Sequence, residues 1–324
     1  MNTVKEIQQV VKEELKVFNT KFDDSMKSKI PLLNIVTNYL RRRKGKQVRP
    51  LLVFLSAKLI DEVSESTYTA AILIELLHTS TLVHDDVVDD AHERRGFLSI
   101  NALWRSKIAV LLGDFLLAKG LLISIENNEF DLLKITSEAV QEMIEGEMHQ
   151  LQKTRKLNLS EEEYFEIITQ KTATLLASCT SSGARSVTKD LEKIALMKEF
   201  GLNLGIAFQI KDDLFDYEAN SVTGKPKGND IKEKKLTLPL IAALNNSPKN
   251  EKRKIINLIN KKSSKRDTYM QVIKFVNEYN GIDYARNKMF EFRDKALSNL
   301  ESFKDSDSKK ALIALVNYIV ERRK

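Results

Sequence analysis

The sequence contains few of the residues that cross-link, break or bend a chain. Its 324 residues include one cysteine, 5 prolines and 11 glycines. The single cysteine, Cys179, excludes an intrachain disulfide and fits a reducing cytoplasm. No segment rich in proline, glycine or serine separates two parts of the chain. We therefore expect a single domain over residues 1–324.

Two further absences concern location. The first residues, Met1–Glu6, lack the apolar stretch of a signal peptide. The most apolar segments are interrupted by Glu75, His78 and Asp114, so none reaches about 18 uninterrupted apolar residues. We expect a cytoplasmic protein with no integral membrane segment.

The net charge is +7, which makes nucleic-acid binding one interpretation of the composition. Part of the basic excess lies in residues 249–265, where Asn and Ser alternate with Lys and Arg as on a solvated surface. No aromatic side chains alternate with these cations to stack on bases. We therefore expect no nucleic-acid partner. A third interpretation is that some of the cations bind an anionic substrate.

Apolar residues recur at helical spacing along most of the chain, and no run of strand-type alternation is convincing. The sequence therefore predicts an all-α fold. Ser160 followed by Glu163 predicts a capped helix start, and residues 220–235 are typical of a loop. The predicted helices cover residues 3–26, 30–40, 50–59, 67–90, 109–125, 132–154, 160–182, 191–217, 236–244, 254–260, 270–279, 285–300 and 308–322.

Two acidic clusters with the pattern D-D-x-x-D lie inside apolar helical segments. On a helix the first and last carboxylates of such a cluster share one face, where like charges repel. Partial burial would make them costly without a counter-ion. Hard oxygen ligands favour Mg²⁺, and two such clusters favour binding of a diphosphate. The clusters consist of Asp85, Asp86 and Asp89, and of Asp212, Asp213 and Asp216.

Basic residues accompany the first cluster. Arg94 and Arg95 follow it, and arginine suits bidentate contact with phosphate. Upstream, Lys46 and Arg49 lie three residues apart at the start of a predicted helix, where both can contact one anion. His78 is two turns before Asp85 on the same helix. The alternatives are ordinary surface charge for the cations and a core position for His78.

Taken together, these motifs make the chain resemble an all-trans polyprenyl diphosphate synthase of the isoprenoid synthase family, of the octaprenyl, medium- to long-chain type. The resemblance covers about residues 35–245 in the family's order. One departure is visible, because Lys234-Lys235 stands where the family usually has Gly-Lys; we align Lys235 with the family's lysine, with Lys234 as the alternative. The motifs are Gly45-Lys46-x-x-Arg49-Pro50, Leu77 to Asp89, Arg94-Arg95-Gly96, Gly113-Asp114, Gly146-Glu147-x-x-Gln150-Leu151, Lys171-Thr172, Phe208-Gln209-x-x-Asp212-Asp213-x-x-Asp216, Gly224-Lys225-Pro226 and Leu236-Thr237-Leu238-Pro239.

The resemblance implies a large helical bundle around an apolar cavity and a role for each motif residue. The six aspartates would bind several Mg²⁺ ions and so anchor the allylic diphosphate. Isopentenyl diphosphate would be held by Lys46, Arg49, His78 and Arg95. The allylic diphosphate would be contacted by Arg94, Lys171, Thr172, Gln209, Lys225 and Lys235, with Lys171 also assigned a catalytic role.

Product length is predicted from the helix that contains Asp85. Ser80 and Thr81 lie five and four residues before Asp85, about 6–7.5 Å along the helix. They are small, and with Leu77 we assign them to the channel for the growing tail. In the resembled family, bulky aromatic residues here end the chain early, so we expect a product of six to ten isoprene units. The alternative is that small residues here permit close helix packing.

The expected function is repeated condensation of isopentenyl diphosphate onto an allylic diphosphate, farnesyl or geranylgeranyl, for a quinone side chain. The resemblance also implies a homodimer, and we further expect peripheral membrane contact for release of the apolar product. Alternatives are a short-chain, geranylgeranyl-type synthase, a cyclising relative of the same fold, a non-catalytic subunit of a hetero-oligomeric synthase, and a helical metal- or nucleic-acid-binding scaffold.

Overall fold

The protein is helical, as the sequence predicts. The structure, a computed structural model, describes residues 3–42, 45–94, 96–154, 159–217, 231, 235–260 and 266–322. Its helices are α1 Val4–Gln8, α2 Lys12–Ser25, α3 Pro31–Arg41, α4 Val48–Ile60, α5 Glu65–Val88, α6 Ile100–Glu126, α7 Phe130–Thr154, α8 Glu161–Ile168, α9 Thr174–Arg185, α10 Leu191–Phe215, α11 Leu238–Asn246, α12 Lys249–Asn260, α13 Arg266–Glu278, α14 Gly281–Ser298 and α15 Asp307–Glu321.

Shorter elements complete the described chain. Gln9–Val11 forms a 3₁₀ turn and Thr169–Ala173 a π-helical turn. Two strands, β1 (Glu93–Arg94) and β2 (Phe97–Leu98), pair antiparallel as a small hairpin.

The chain groups into two compact units, each with its own packing. The first contains residues 1–140, 178–198 and 303–312. In it, α4 is buried from Pro50 to Ala57, and α5 packs along α6. Gly120 allows this close packing, because a Cβ added there would lie 3.2 Å from the Leu73 side chain. A helix that is apolar on nearly all sides must be central, and α5, which ends in the first acidic cluster, meets that description.

The second unit contains residues 141–177, 199–302 and 313–324. Its apolar core surrounds α11, which packs against α13 and α14. The same core buries one side of α10 through Ile210, two residues before the second acidic cluster, and Leu214, inside it. A packed helix therefore fixes the backbone of that cluster. The single-domain expectation for residues 1–324 stays a prediction.

Several predicted boundaries differ from the observed ones, each for a local reason. The helix predicted for residues 3–26 is broken by the 3₁₀ turn. The helix predicted for residues 109–125 belongs to α6, which begins at Ile100, where the Ser99 hydroxyl accepts a hydrogen bond from the Ala102 amide. Arg105 adopts φ 67°, so a kink separates this first part of α6 from the rest. The capped start at Ser160 is confirmed, but the π-turn divides the helix predicted for residues 160–182. The loop predicted for 220–235 falls mainly outside the described residues.

Helix α6 is long and apolar enough to cross a membrane by length and composition, which the sequence analysis did not anticipate. A third of its most apolar window, 33%, is buried inside the structure. One such helix is weak evidence for a membrane span, because core helices of soluble proteins have the same character.

Candidate active site

The first acidic cluster ends α5. Asp89 is the C-cap residue, and its amide donates to the Asp85 carbonyl over 2.8 Å, which keeps these two residues one turn apart. Asp85 and Asp89 are exposed, whereas Asp86 is buried, 3% exposed. The expected burial therefore holds for the middle carboxylate of this cluster and not for the outer two.

Asp86 is compensated by Arg94. The Arg94 Nε–H donates to Asp86 Oδ1 over 2.7 Å. The β1–β2 hairpin directs Arg94 back toward the end of α5, and Gly96 supports its turn with φ 76°, a conformation that favours glycine. The proposed phosphate contact Arg94 thus lies beside the carboxylates, as the sequence analysis requires. Arg95 lies outside the described residues.

The Gly113-Asp114 motif on α6 positions His84, the residue before Asp85. A Cβ at Gly113 would lie 2.1 Å from His84 Nε2, so only glycine permits the ring to rest on α6. The same nitrogen is 3.3 Å from the Val110 carbonyl and 3.5 Å from Asp114 Oδ1. Glycine at this point therefore fixes the end of α5 against α6, a contact that the motif alone does not reveal.

His78 and the first cluster share a cavity of about 120 Å³ within the first unit. Asp86, Arg94 and Gly45 also line it. The wall thus combines two carboxylates, Glu75 and Asp86, two guanidinium groups and an imidazole with apolar side chains from α2, α3 and α5. His78 is buried, 8% exposed, and its location on this wall favours the functional interpretation over a plain core position.

The segment with Lys46 and Arg49 is held in a defined conformation. Gln47, the N-cap of α4, adopts φ 49°, and its side-chain amide donates to Asn19 Oδ1 over 2.8 Å. Gln8 Nε2 donates to the Lys46 carbonyl over 2.8 Å. Lys46 is exposed and Arg49 half-buried, and Gly45 beside them lies on the cavity wall. Their roles in binding stay a prediction.

The three residues assigned to product length face different surroundings. Ser80 is 3% exposed, and its hydroxyl donates to the Gly113 carbonyl over 2.8 Å, which supports the packing interpretation for this residue. Leu77 is buried beside Gly120. Thr81 is half-buried, and its hydroxyl donates to the carbonyl of its own helix at His78. Thr81 is thus the most accessible of the three.

In the second cluster each aspartate has its own partner. Asp212 Oδ1 accepts from Arg322 Nη2 over 2.5 Å. Asp213, 5% exposed, accepts from the Tyr164 hydroxyl at 2.6 Å and from Gln209 Nε2 at 2.9 Å.

Asp216 follows the last residue of α10, and its carbonyl accepts from the Tyr269 hydroxyl over 2.9 Å. Burial raises the pKa of Tyr269, and the Asp216 charge raises it further, so the phenol stays a donor. The end of α10 is therefore fixed at Asp213 and Asp216.

The π-turn presents Lys171 and Thr172. Its Lys171 ammonium forms an ion pair with Glu147 and donates to Gln150 Oε1 over 2.7 Å. Gly146 makes this approach possible, since a Cβ there would lie 2.8 Å from Gln170 Cβ. The motif Gly146-Glu147-x-x-Gln150 thus positions a lysine, and π-turns often occur at functional sites.

Thr172 connects the π-turn to the second cluster. Its hydroxyl donates to Gln209 Oε1 over 2.8 Å, while the amide group of Gln209 donates to Asp213. A Cβ at Gly205 would lie 2.4 Å from Ala173 Cα, so α10 and the π-turn touch backbone to backbone. The structure therefore brings Thr172, Gln209 and Asp213 together as one hydrogen-bonded chain. Lys235 is half-buried, and Lys225 and Lys234 lie outside the described residues.

Nucleophilic catalysis by Cys179 is excluded by its surroundings. The thiol is fully buried in the first unit, and burial raises its pKa to about 12. A thiol of this kind is inert at neutral pH.

The donor set fits a hard divalent cation that is shared with an anionic substrate. Within the described residues, no group of three or more carboxylate, histidine or cysteine side chains forms a metal site by itself. Mg²⁺ usually binds through one or two carboxylates together with substrate phosphates. Closely spaced carboxylates beside cations, with no soft ligands, match that requirement.

Sequence reasoning missed several residues of this site. Tyr164 and Tyr269 stabilise the second cluster from elements far away in sequence, and no spacing rule connects them to it. Arg322, placed only within a predicted helix, contacts Asp212. Glu147 and Gln150 were noted as a motif without a role, and the structure supplies the role.

The polyprenyl synthetase family model matches residues 30–276. An octaprenyl diphosphate synthase from Haemophilus influenzae is 31% identical over 321 residues, which cover 99% of this chain and 97% of that one. The crystal structure of a decaprenyl diphosphate synthase from Rhodobacter capsulatus superposes with a TM-score of 0.93 at 30% identity, covering 99% and 100% of the two chains. A polyprenyl synthase from Caulobacter crescentus, crystallised with calcium and isoprenyl diphosphate, gives a TM-score of 0.90 at 32% identity and covers 100% and 99%.

Proposed function

The chain belongs to the polyprenyl synthetase family, and we propose that it is a Mg²⁺-dependent trans-prenyltransferase that extends farnesyl or geranylgeranyl diphosphate with isopentenyl diphosphate for a quinone side chain. The all-α fold and the relatives that make long polyprenyl diphosphates support this activity. The observation with most weight is that each D-D-x-x-D cluster lies on a packed helix end beside a cation, Arg94 for the first and Arg322 for the second. Both clusters thus have the composition of diphosphate sites.

Side chains of the protein bind and orient the two diphosphate substrates. Bound Mg²⁺ supplies charge stabilisation for the leaving diphosphate. We assign Lys171 and Thr172 to the allylic diphosphate, where a fixed ammonium and hydroxyl stabilise the negative charge that develops on its oxygens. The ion pair with Glu147 and the hydrogen bond that Lys171 donates to Gln150 pre-orient the ammonium group, so little reorganisation accompanies the reaction.

The condensation requires no nucleophilic side chain of the enzyme. The allylic C–O bond breaks and its electron pair leaves with the diphosphate. The double bond of isopentenyl diphosphate attacks the allylic carbon, forming the new C–C bond, and a proton then passes to the departed diphosphate. No serine, histidine or cysteine nucleophile takes part, in agreement with the inert Cys179.

The direct test is incubation of the pure protein with Mg²⁺, radiolabelled isopentenyl diphosphate and farnesyl diphosphate. The proposal predicts label in an apolar, acid-labile product, and none without the allylic diphosphate or with EDTA. A non-catalytic subunit or a binding scaffold would yield no labelled product. A cyclising relative would convert the allylic substrate without incorporating label.

We predict that Lys46→Ala raises the Michaelis constant for isopentenyl diphosphate about tenfold, the size of one charged hydrogen bond, and leaves that for the allylic substrate nearly unchanged. Lys46 is exposed, so the change should not disturb packing. Initial rates with one substrate varied at a time decide this, with Lys16→Ala on α2 as the control. Equal effects on both substrates would contradict separate diphosphate subsites.

We predict that Thr81→Phe shortens the product by several isoprene units while condensation continues. Thr81 lies about 6 Å along α5 from Asp85 and is half-buried, so an aromatic ring there narrows the path of the tail. Chromatography of the dephosphorylated products measures the length. Thr81→Val keeps the volume small and should leave the length unchanged. Ser80→Phe is a poorer test, since its ring would press on α6 at Gly113. An unchanged distribution in Thr81→Phe would contradict a channel along this face.

A homodimer accounts for the surface of α6. Large apolar side chains there are exposed and extend over several turns, and contiguous exposed apolar patches often mark interaction surfaces. A second copy of the chain is the proposed cover, with peripheral membrane contact as the alternative for release of an apolar product. We place the enzyme in the cytoplasm, where the single buried thiol is stable. The exposed residues are Leu103, Val110, Leu111, Leu117, Leu121, Leu122 and Ile125.

A further inference from the structure

The end of the described chain contacts the second acidic cluster within the second unit. Arg322 is the first residue after α15. Its Nη2 lies 2.5 Å from Asp212 Oδ1 and 3.4 Å from the Phe208 carbonyl. The guanidinium also covers the Phe208 ring at 4.1 Å from the centroid and the Phe215 ring at 5.5 Å. An arginine at the far end of the sequence is therefore held on α10 by charge, hydrogen bonding and stacking.

This contact differs from an ordinary surface ion pair. The Arg322 side chain is only 13% exposed, against 39% for Asp212. Its Nε–H is buried and finds no acceptor among the described residues. Burying a donor without an acceptor is unfavourable, so the contacts with Asp212 and the two rings must offset that cost. Within the described residues, Asp212 is thus the carboxylate that pairs with this arginine.

We propose that Arg322 is a positioning residue that acts as the internal counter-ion of Asp212 and competes with a divalent cation for that carboxylate. The inference rests on the proposed function, in which Asp212 is a metal ligand. A guanidinium on Asp212 Oδ1 and a metal ion bound to the same carboxylate would lie within a few ångströms of each other, so the two positive charges repel. Metal binding to Asp212 must therefore weaken or displace the Arg322 contact, and this cost lowers the affinity of the cluster for the metal.

The test measures metal binding directly, by following free Mn²⁺ through its electron paramagnetic resonance signal. Arg322→Gln removes the competing charge and should tighten the Mn²⁺ binding that depends on Asp212 about fivefold, the upper range for a partly exposed pair. Arg322→Lys keeps a positive charge but loses the planar guanidinium group. Its Mn²⁺ affinity should lie between those of the unaltered protein and of Arg322→Gln. Arg286→Gln, which breaks an exposed ion pair with Asp283, is the matched control and should bind Mn²⁺ like the unaltered protein.

The melting temperature, measured with Mn²⁺ and with EDTA, distinguishes competition with the metal from simple anchoring of α15 by Arg322. If Arg322 competes with metal, Mn²⁺ raises the melting temperature more in Arg322→Gln than in the unaltered protein. If it only anchors the helix, the variant melts lower by the same amount with Mn²⁺ and with EDTA, and its Mn²⁺ affinity is unchanged, which would overturn the inference. Phe208→Leu removes the ring on which Arg322 stacks but keeps the charges of Arg322 and Asp212. If Arg322 competes with the metal, this variant should gain less Mn²⁺ affinity than Arg322→Gln.

Asp212→Asn separates failure of this inference from failure of the proposed function. If Asp212→Asn abolishes part of the Mn²⁺ binding and Arg322→Gln changes nothing, the competition is wrong and the metal role of Asp212 stands. If Asp212→Asn leaves binding unchanged, the metal role itself fails, and the inference fails with it.

Discussion

Replacing either Asp85 or Asp212 by alanine should lower the condensation rate by about 10³-fold, the upper range for removing one element of charge stabilisation. The proposed function assigns to each cluster part of the charge that develops on the departing diphosphate. Asp85 is exposed at the end of α5, so its loss should leave the melting temperature unchanged. Asp212→Ala should melt a few degrees lower, because Arg322 then loses its carboxylate partner.

Steady-state rates and circular dichroism on the same preparations decide this prediction. Asp61→Ala and Asp283→Ala remove exposed carboxylates outside both clusters and serve as controls for general charge effects. Near-normal turnover in Asp85→Ala or Asp212→Ala, with helical content preserved, would mean that the clusters do not hold the reacting diphosphate.

Lys171→Ala should lower kcat/KM for the allylic substrate about 100-fold, with a smaller effect on isopentenyl diphosphate. The ammonium is fixed on the π-turn by Glu147 and Gln150 and is only half-exposed, so it can act on a bound diphosphate without rearrangement. Lys171→Arg should recover little, since a larger planar group does not fit between these partners.

The control for this prediction is Lys295→Ala, which removes an exposed lysine paired with Glu291. Initial rates measured with one substrate varied at a time give kcat/KM for each substrate and so distinguish the two diphosphate subsites. If Lys171→Ala affects both substrates equally, or neither, the assignment of the π-turn to the allylic diphosphate is wrong.

The sequence predicted the parts of the fold that depend on local periodicity. The apolar face of α5 and the capping box at Ser160 follow from neighbouring residues, and both are confirmed. The clusters at the ends of α5 and α10 were located from spacing alone. Position along a helix, however, does not fix which side chain is buried: Asp86 and Asp213 are, while Asp85 and Asp89 are not.

The rest depends on contacts between distant segments. Whether Gly113 serves a turn or a close approach is decided by the His84 ring from another helix. The π-turn at Lys171 depends on Gly146, more than twenty residues earlier. Arg322 reaches Asp212 across 110 residues of sequence. None of these pairs lies at a helical spacing, so periodicity could not reveal them.

In the proposed reaction, the enzyme repeats the condensation many times on one primer. Mass spectrometry of the dephosphorylated products, after incubation with Mg²⁺, farnesyl diphosphate and excess isopentenyl diphosphate, measures how often it does so. We expect all-trans polyprenyl alcohols of six to ten isoprene units as the main products. Products that stop at four units, or unextended farnesol alone, would contradict it.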